Sequence, residues 1–366
     1  MKARTRFAPS PTGYIHVGNV RSALYPYLIA KQTGGDFILR IEDTDRARFV
    51  EGAEDLILDT LKWLGLDWNE GPVYGDKTKE MGDFGPYHQT ARREKYLDWA
   101  KKMIEKGLAY ADPYSPEEVE EFRKKAKLEK RAFLYRDHRP ENPPEWKIGM
   151  PLRFKTPEIK RYNWHDAVMG DLSAGPEALD DFILIKADGL PTYNFAHIVD
   201  DFEMKVTHVI RGSEYVASTP KYLSLYEALG IQPPILAHLP HILAPEGNKK
   251  LGKRDGAKSV SEYRADGILS EAMLNFLAQL GWNDGTEQDI FTKEELIEKF
   301  SLERVQKSGA RFDEQRLLWL NGQWIRRISL DDLFNRVKDF WGESARNANE
   351  EYKKDRFENS KAPELV

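Results

Sequence analysis

The stretch from Phe7 to Asn19, F-A-P-S-P-T-G-Y-I-H-V-G-N, constrains this chain more than any other. Thr5 to Ala8 reads as a short apolar strand, and the two prolines and the glycine that follow force a turn. Val17 to Gln32 then carries apolar residues at Val17, Val20, Leu24, Tyr27 and Leu28, which is helical spacing. Phe37 to Ile41 is a second apolar strand. A strand, a crossover helix and a strand open a doubly wound parallel sheet. Pro26 sits inside the helical stretch. It removes the hydrogen bond to Ser22 and costs about 3 kcal/mol unless the helix kinks, so a local kink is expected and not a break.

With 366 residues the chain exceeds one ordinary core, since domains run to roughly 100–200 residues. Glu51 to Leu64, stopped by Gly65, is a second helix. The Gly-, Pro- and Asp-rich run from Asn69 to Tyr87 marks a loop and the start of an insertion. Strands of the sheet resume at Phe182 to Lys186, Val206 to Arg211 and Ile235 to Leu243. Beyond Lys258 the pattern is helical, with Glu271 to Leu280 stopped by Gly281, Lys293 to Phe300, and Asp313 to Asn321 stopped by Gly322. The expected fold class is α/β, a Rossmann-type parallel sheet with an inserted α+β domain and a following α-helical domain. The division is 1–85 and 189–247 for the two halves of the sheet domain, 86–188 for the insertion, 248–328 for the helices and 329–366 for the start of a further helical part.

Composition excludes several classes. The 40% hydrophobic and 31% charged residues describe a globular chain, and no apolar run approaches the ~18 residues of a membrane span. Met1-Lys2-Ala3-Arg4 leads into a strand and not a signal-peptide core, so a cytoplasmic protein is expected. The absence of cysteine excludes disulfides, thiolate catalysis and thiolate metal clusters. A net charge of −5 means that any polyanion must be met by local basic patches. Candidates are 123–131, 249–258, and Arg304 with Lys307 and Arg311. The first reads equally well as a solvated helix face, because glutamates alternate with its lysines.

A second motif, Lys250-Leu251-Gly252-Lys253-Arg254, follows the turn Pro245-Glu246-Gly247-Asn248. Alone it would be a solvated basic loop, and H-x-G-x alone would be weak. Together they describe one ATP site closed from two sides, with backbone N–H groups at His16 and Gly18 facing an anion and basic side chains opposite. A small-molecule nucleotidyltransferase also uses an H-x-G-x turn, but would not need the helices after Lys258.

The two motifs resemble the HIGH and KMSKS signatures of class I aminoacyl-tRNA synthetases. R-F-A-P-S-P-T-G from Arg6, F-I-L-R-I-E-D-T-D from Phe37, G-L-P-T-Y-N-F-A from Gly189, T-H-V-I-R-G from Thr207 and M-L-N-F-L-A-Q-L-G-W from Met273 narrow the resemblance to the bacterial-type glutamyl-tRNA synthetase family. It implies attachment of L-glutamate to tRNA(Glu) through a glutamyl-adenylate, with ATP and Mg2+, by a monomer. It implies that the insertion binds the acceptor end, that the helices of 248–328 contact the tRNA stem, and that 329–366 begins an anticodon-binding region left short of full length. By the same resemblance His16, Lys250, Lys253 and Arg254 are catalytic, and Pro9, His16, Gly18, Asn19 and Lys253 hold ATP. Arg6, Ala8, Ser10, Glu42, Tyr193, Asn194 and Arg211 would bind glutamate, with Arg6 on its side-chain carboxylate and Glu42 on its ammonium. The chemistry agrees: adenylate formation gathers negative charge on departing pyrophosphate, so positioned cations and N–H donors matter more than an acid or base.

Two departures stand out. Asn19 replaces the second histidine of the first signature, as is common in this branch, and Gly252 replaces a serine of the second, which loosens the loop. Many relatives hold zinc through cysteines in the insertion. Here the matching stretch offers Asp112 and Tyr114, which with His138 make no four-ligand site, so no metal site and no zinc are expected. The rival readings are an enzyme that glutamylates a modified tRNA base, disfavoured by the helices after Lys258, a glutaminyl enzyme, and a non-catalytic tRNA-binding paralogue, disfavoured by His16 and the loop lysines.

Overall fold

The computed structural model describes residues 2–13, 15–252 and 258–337. Lys253 and Arg254 therefore lie outside the described residues, as does most of 329–366.

In chain order the first elements are β1 (Arg4–Phe7), α1 (Val17–Gln32), β2 (Asp36–Leu39), α2 (Ala53–Trp63), β3 (Gly71–Val73) and β4 (Asp76–Met81). The inserted stretch holds α3 (Arg93–Glu105), β5 (Ala109–Ala111), α4 (Pro116–Leu128), β6 (Leu152–Phe154), β7 (Tyr162–Asp166), β8 (Gly170–Ala174) and β9 (Ile183–Ile185). Then come α5 (Tyr193–Glu203), β10 (His208–Gly212), α6 (Thr219–Leu229), β11 (Ile235–Leu239) and β12 (Ile242–Leu243). The last are α7 (Val260–Ala265), α8 (Ser270–Gln279), α9 (Lys293–Lys299), β13 (Ala310–Arg311), α10 (Glu314–Ile325) and α11 (Leu330–Val337).

The central sheet has the order β2-β1-β10-β11-β7-β8. Its first five strands run parallel, with Arg6 opposite Ile38 and Arg211 opposite His238, and β8 closes the edge antiparallel to β7. The carboxyl ends of β1, β2 and β10, where ligands sit in such sheets, therefore open on one side. α1 covers the range expected for it and passes through Pro26 unbroken. The Pro26 carbonyl accepts from Thr5 Oγ1 at 2.8 Å, which ties the proline turn to β1.

Two expectations are corrected. Phe182 to Lys186 reads as a strand of the central sheet, but β9 pairs with β6 in a separate β5-β6-β9 sheet. The central sheet takes the hairpin β7–β8 instead, from within the inserted stretch. Gly322 does not stop a helix: α10 runs through it to Ile325, and a Cβ at Gly322 would meet open space.

Two main cores result. One apolar cluster joins β1, β2 and α1 to α2 and to the helices after 258, running from Phe7 through Val20, Leu24 and Tyr25 to Phe276, Leu317 and Trp324. The other gathers Tyr96, Leu152, Phe154 and Leu184 of the insertion with Phe195, Tyr222 and Leu225 of α5 and α6. Burying such side chains supplies the main favourable term of folding.

Candidate active site

His16 is the N-cap of α1. Its Nδ1 accepts from Gly18 N–H at 3.2 Å while Asn19 Oδ1 accepts from His16 N–H at 3.2 Å, a reciprocal cap. Two orphan donors of the helix start are thereby satisfied. An Nδ1 that accepts places the ring proton on Nε2, so the exposed imidazole is a donor at the positive end of the helix dipole. Gly18 has a tighter reason than backbone approach alone: a Cβ there would stand 3.1 Å from both Nδ1 and Cε1 of His16. Asn19, expected on ATP, completes the cap.

His16, Gly18, Asn19 and Ser22 form one wall of a cleft, and Gly212, Glu214, His241, Lys250 and Leu251 form another. Lys250 Nζ stands 3.8 Å from Glu214 Oε1, and both side chains are about half exposed. Lys250 and Leu251, the first residues of the second motif, thus face the first motif across the cleft. Arg21, deeper in the wall, is buried and donates to Leu280 O at 2.9 Å and to Pro240 O.

The expected glutamate residues lie beside it at the carboxyl ends of the strands. Ala8, Pro9 and Ser10 follow β1, and Pro9 O accepts Glu42 N–H at 2.9 Å, which lays this segment along the end of β2. Arg6, Glu42 and Arg211 are all buried. Arg6 Nε donates to Asp201 Oδ1 at 3.1 Å, and Arg40 donates to the same oxygen at 2.7 Å and to Glu42 Oε1 at 3.0 Å. Burial pushes the Asp201 carboxyl up, but Arg6 and Arg40 outweigh it and hold it at about 2. For Glu42 burial wins and raises it, against Arg40 and Arg6. Arg40 stays charged because Asp201, Asp200 and Glu42 offset its desolvation.

Arg211 is built differently. Its Nε donates to His238 Nε2 at 3.1 Å, and its Nη1 lies 3.5 Å from Tyr193 Oη and 3.4 Å from His197 Nε2. The guanidinium also faces the rings of Tyr215 and Tyr222 at 4.9 and 5.0 Å. Among the described residues no carboxylate lies within ion-pair distance of Arg211. An arginine with only neutral partners in a buried place is incomplete without an anion.

Sequence reasoning missed His197. It lies one turn beyond Tyr193 on α5 and stacks on it at 4.6 Å. Its Nδ1 is 2.7 Å from Tyr193 O, a carbonyl that only accepts, so Nδ1 carries the proton and Nε2 turns a lone pair to Arg211. Burial and Arg211 lower it to about 3, and it stays neutral. Asn194, expected in the site, points instead to Tyr222, accepting its hydroxyl at 3.0 Å. In the insertion, Asp112 takes Arg153 Nε at 2.6 Å and the Tyr135 hydroxyl, while His138 stacks on Phe122 at 4.2 Å.

The site thus joins the N-terminus of α1, open on a cleft at the carboxyl ends of parallel strands, to a buried arginine whose described partners are neutral. A sequence profile described as tRNA synthetases class I (E and Q), catalytic domain, matches residues 2–319. The chain belongs to that family. It is similar to the glutamate–tRNA ligase of Clostridium botulinum strain Hall, 49% identical over 350 residues, covering 94% of this chain and 71% of that one. Against the glutamate–tRNA ligase of Clostridium kluyveri it is 47% identical over 343 residues, 92% and 69% of the two chains. A crystal structure of a glutamate tRNA ligase from Elizabethkingia meningosepticum in complex with its amino acid superposes with a TM-score of 0.85 at 37% identity, covering 95% and 74%.

Proposed function

We infer that the chain joins L-glutamate to the 3′ end of a tRNA. The α-carboxylate of glutamate attacks the α-phosphorus of ATP and pyrophosphate leaves. A ribose hydroxyl of the terminal nucleotide then attacks the carbonyl carbon of the glutamyl-adenylate, and AMP leaves. The relatives named glutamate–tRNA ligase and the matching catalytic-domain family support this reading. The structural observation that carries it is Arg211, a buried cation whose described partners are neutral. Glutamate brings two carboxylates and one ammonium, and Arg6, Arg211 and Glu42 are the two cations and one anion that meet them. Glutamine would leave a buried guanidinium facing an amide, at a cost of roughly 1.5–3 kcal/mol in lost charge-assisted bonding.

On the nucleotide side His16 Nε2–H and the first turn of α1 donate to phosphate, and Lys250, with Lys253 and Arg254, meets the pyrophosphate charge. Magnesium bound with ATP would supply counter-charge to the leaving pyrophosphate. No group of three carboxylates and histidines that could hold a metal stands together among the described residues. The proposed division keeps 86–188 for the acceptor end and 248–328 for the stem. Among the described residues no helix is long and apolar enough to cross a membrane.

The test is charging of purified glutamate and glutamine tRNAs with labelled glutamate and glutamine. Glutamate should be attached, and glutamine at least about tenfold less efficiently. Preferential attachment of glutamine would overturn the reading.

A further inference from the structure

His238 and Asp166 lie behind Arg211, and neither belongs to any motif that led to the site. Both are fully buried. His238 Nε2 accepts from Arg211 Nε at 3.1 Å, and its Nδ1 stands 2.6 Å from Asp166 Oδ2. A guanidinium only donates, so the ring proton must sit on Nδ1 and be given to the carboxylate. The other carboxylate oxygen, Oδ1, accepts the N–H groups of Val168, Met169 and His238 at 3.0, 2.9 and 3.1 Å. Asp166 ends β7 and His238 lies in β11, so the hairpin lent by the insertion is tied by this carboxylate to the strand behind the amino-acid site.

We propose that Asp166 and His238 are positioning residues for glutamate: Asp166 fixes the His238 tautomer, and His238 holds the Arg211 guanidinium by its Nε edge in the orientation that receives a substrate carboxylate. The inference rests on the assignment of Arg211 to glutamate. With His197 on the other side, two neutral imidazoles present lone pairs to one guanidinium. They fix its plane without neutralising it, which a carboxylate in either place would do. Burial lowers His238 against the pull of Asp166, consistent with a neutral ring.

Three variants separate this role from a purely structural one, each read by the glutamate KM and kcat of tRNA charging, with folding followed by thermal melting. His238→Asn keeps a donor for Asp166 but loses the acceptor for Arg211, so the glutamate KM should rise about tenfold to a hundredfold with the ATP KM unchanged. His238→Gln places its oxygen near Nε2, and should recover most of that loss although its bond to Asp166 is gone. Asp166→Asn is isosteric. Its oxygen is held by the three backbone N–H groups, so its amide N–H2 faces His238 and forces the ring proton to Nε2, against Arg211. It should raise the glutamate KM as much as His238→Asn, and 15N shifts of the histidine ring should report the changed tautomer. The reverse ranking, with His238→Gln damaged and His238→Asn near wild type, would show that only the tie between β7 and β11 matters and would overturn the proposal. So would an unchanged KM in Asp166→Asn with the tautomer shifted. Arg211→Ala is the control: an unchanged glutamate KM there would remove the assignment of Arg211 itself, and the relay with it.

Discussion

The proposed nucleotide cleft and the proposed amino-acid site lie side by side at the end of one sheet but are constructed in opposite ways. In the cleft the charged groups are half open to water: the Lys250 and Glu214 side chains are 55% and 46% exposed, and His16 caps a helix with its ring exposed. In the amino-acid site Arg40 and Asp201 are 0% and 1% exposed, and every guanidinium is held through at least one nitrogen. Under the proposed function the difference follows the tasks. Discrimination between glutamate and glutamine needs a charge that cannot be rehydrated, so it is placed in a dry, fixed network. Phosphate charge must be met as it develops and then released, which suits side chains half open to water.

The comparison can be broken at its buried end first. Arg40→Met strips three carboxylates of their shared cation and should destabilise the fold by about 3–5 kcal/mol, read by urea denaturation. A loss under ~1 kcal/mol, the ordinary worth of an exposed pair, would mean that the network is wetter than its burial implies. At the open end Lys253→Ala should lower the charging rate ~10²–10³-fold while leaving the glutamate KM within a few-fold. A comparable rise in the glutamate KM would show that the two sites are not separate.

A pH series sharpens the contrast. His197 is held at about 3 against its ordinary 6.5, so the unfolded chain takes up a proton well before the folded one. Stability should therefore be unaffected by this group above pH 6.5 and fall as pH drops from there towards 3, by on the order of 2 kcal/mol at pH 5. His197→Asn should flatten that slope whatever it does to the level. An unchanged slope would show that His197 is protonated in the fold. The smallest effect is expected from Gly18→Ala, whose methyl would press on the ring that caps α1. It should cost about tenfold or less in kcat with the glutamate KM unmoved, and a stopped-flow measurement of pyrophosphate release would show it.

Much of the cleft was legible because its parts are contiguous. Phe7 to Asn19 encodes strand, turn, cap and helix in one run, and α1 spans the residues that its periodicity marks. The amino-acid site was legible only where a motif named a residue. Tyr193 and His197 share a face because they are four apart on a helix, whereas Asn194 is turned about 100° away. With no helix read at 193–203, that geometry could not be used. β7 and β8 escaped for another reason. Y-N-W-H-D and G-D-L-S-A alternate polar and apolar residues at a sheet edge, and nothing local says that such a hairpin leaves the insertion to join a sheet begun at residue 4. The Asp166–His238 bond is likewise invisible in one dimension, spanning 72 residues.

The apolar cluster that runs from Phe7 to Trp324 sets where this molecule can be cut. Tyr25 of α1 donates to Ala278 O at 3.1 Å, and Gln32 reaches the carbonyls of Glu298 and Phe300, each at 2.9 Å. A chain ending before α7 would retain every residue described on the two walls of the cleft, yet would strip Tyr25 of the Phe300 ring 4.7 Å away and Arg21 of Leu280 O. Any shortening or graft meant to preserve adenylate chemistry must carry the helices as far as Trp324, because they are the inner lining of the nucleotide half and not an appendage to it.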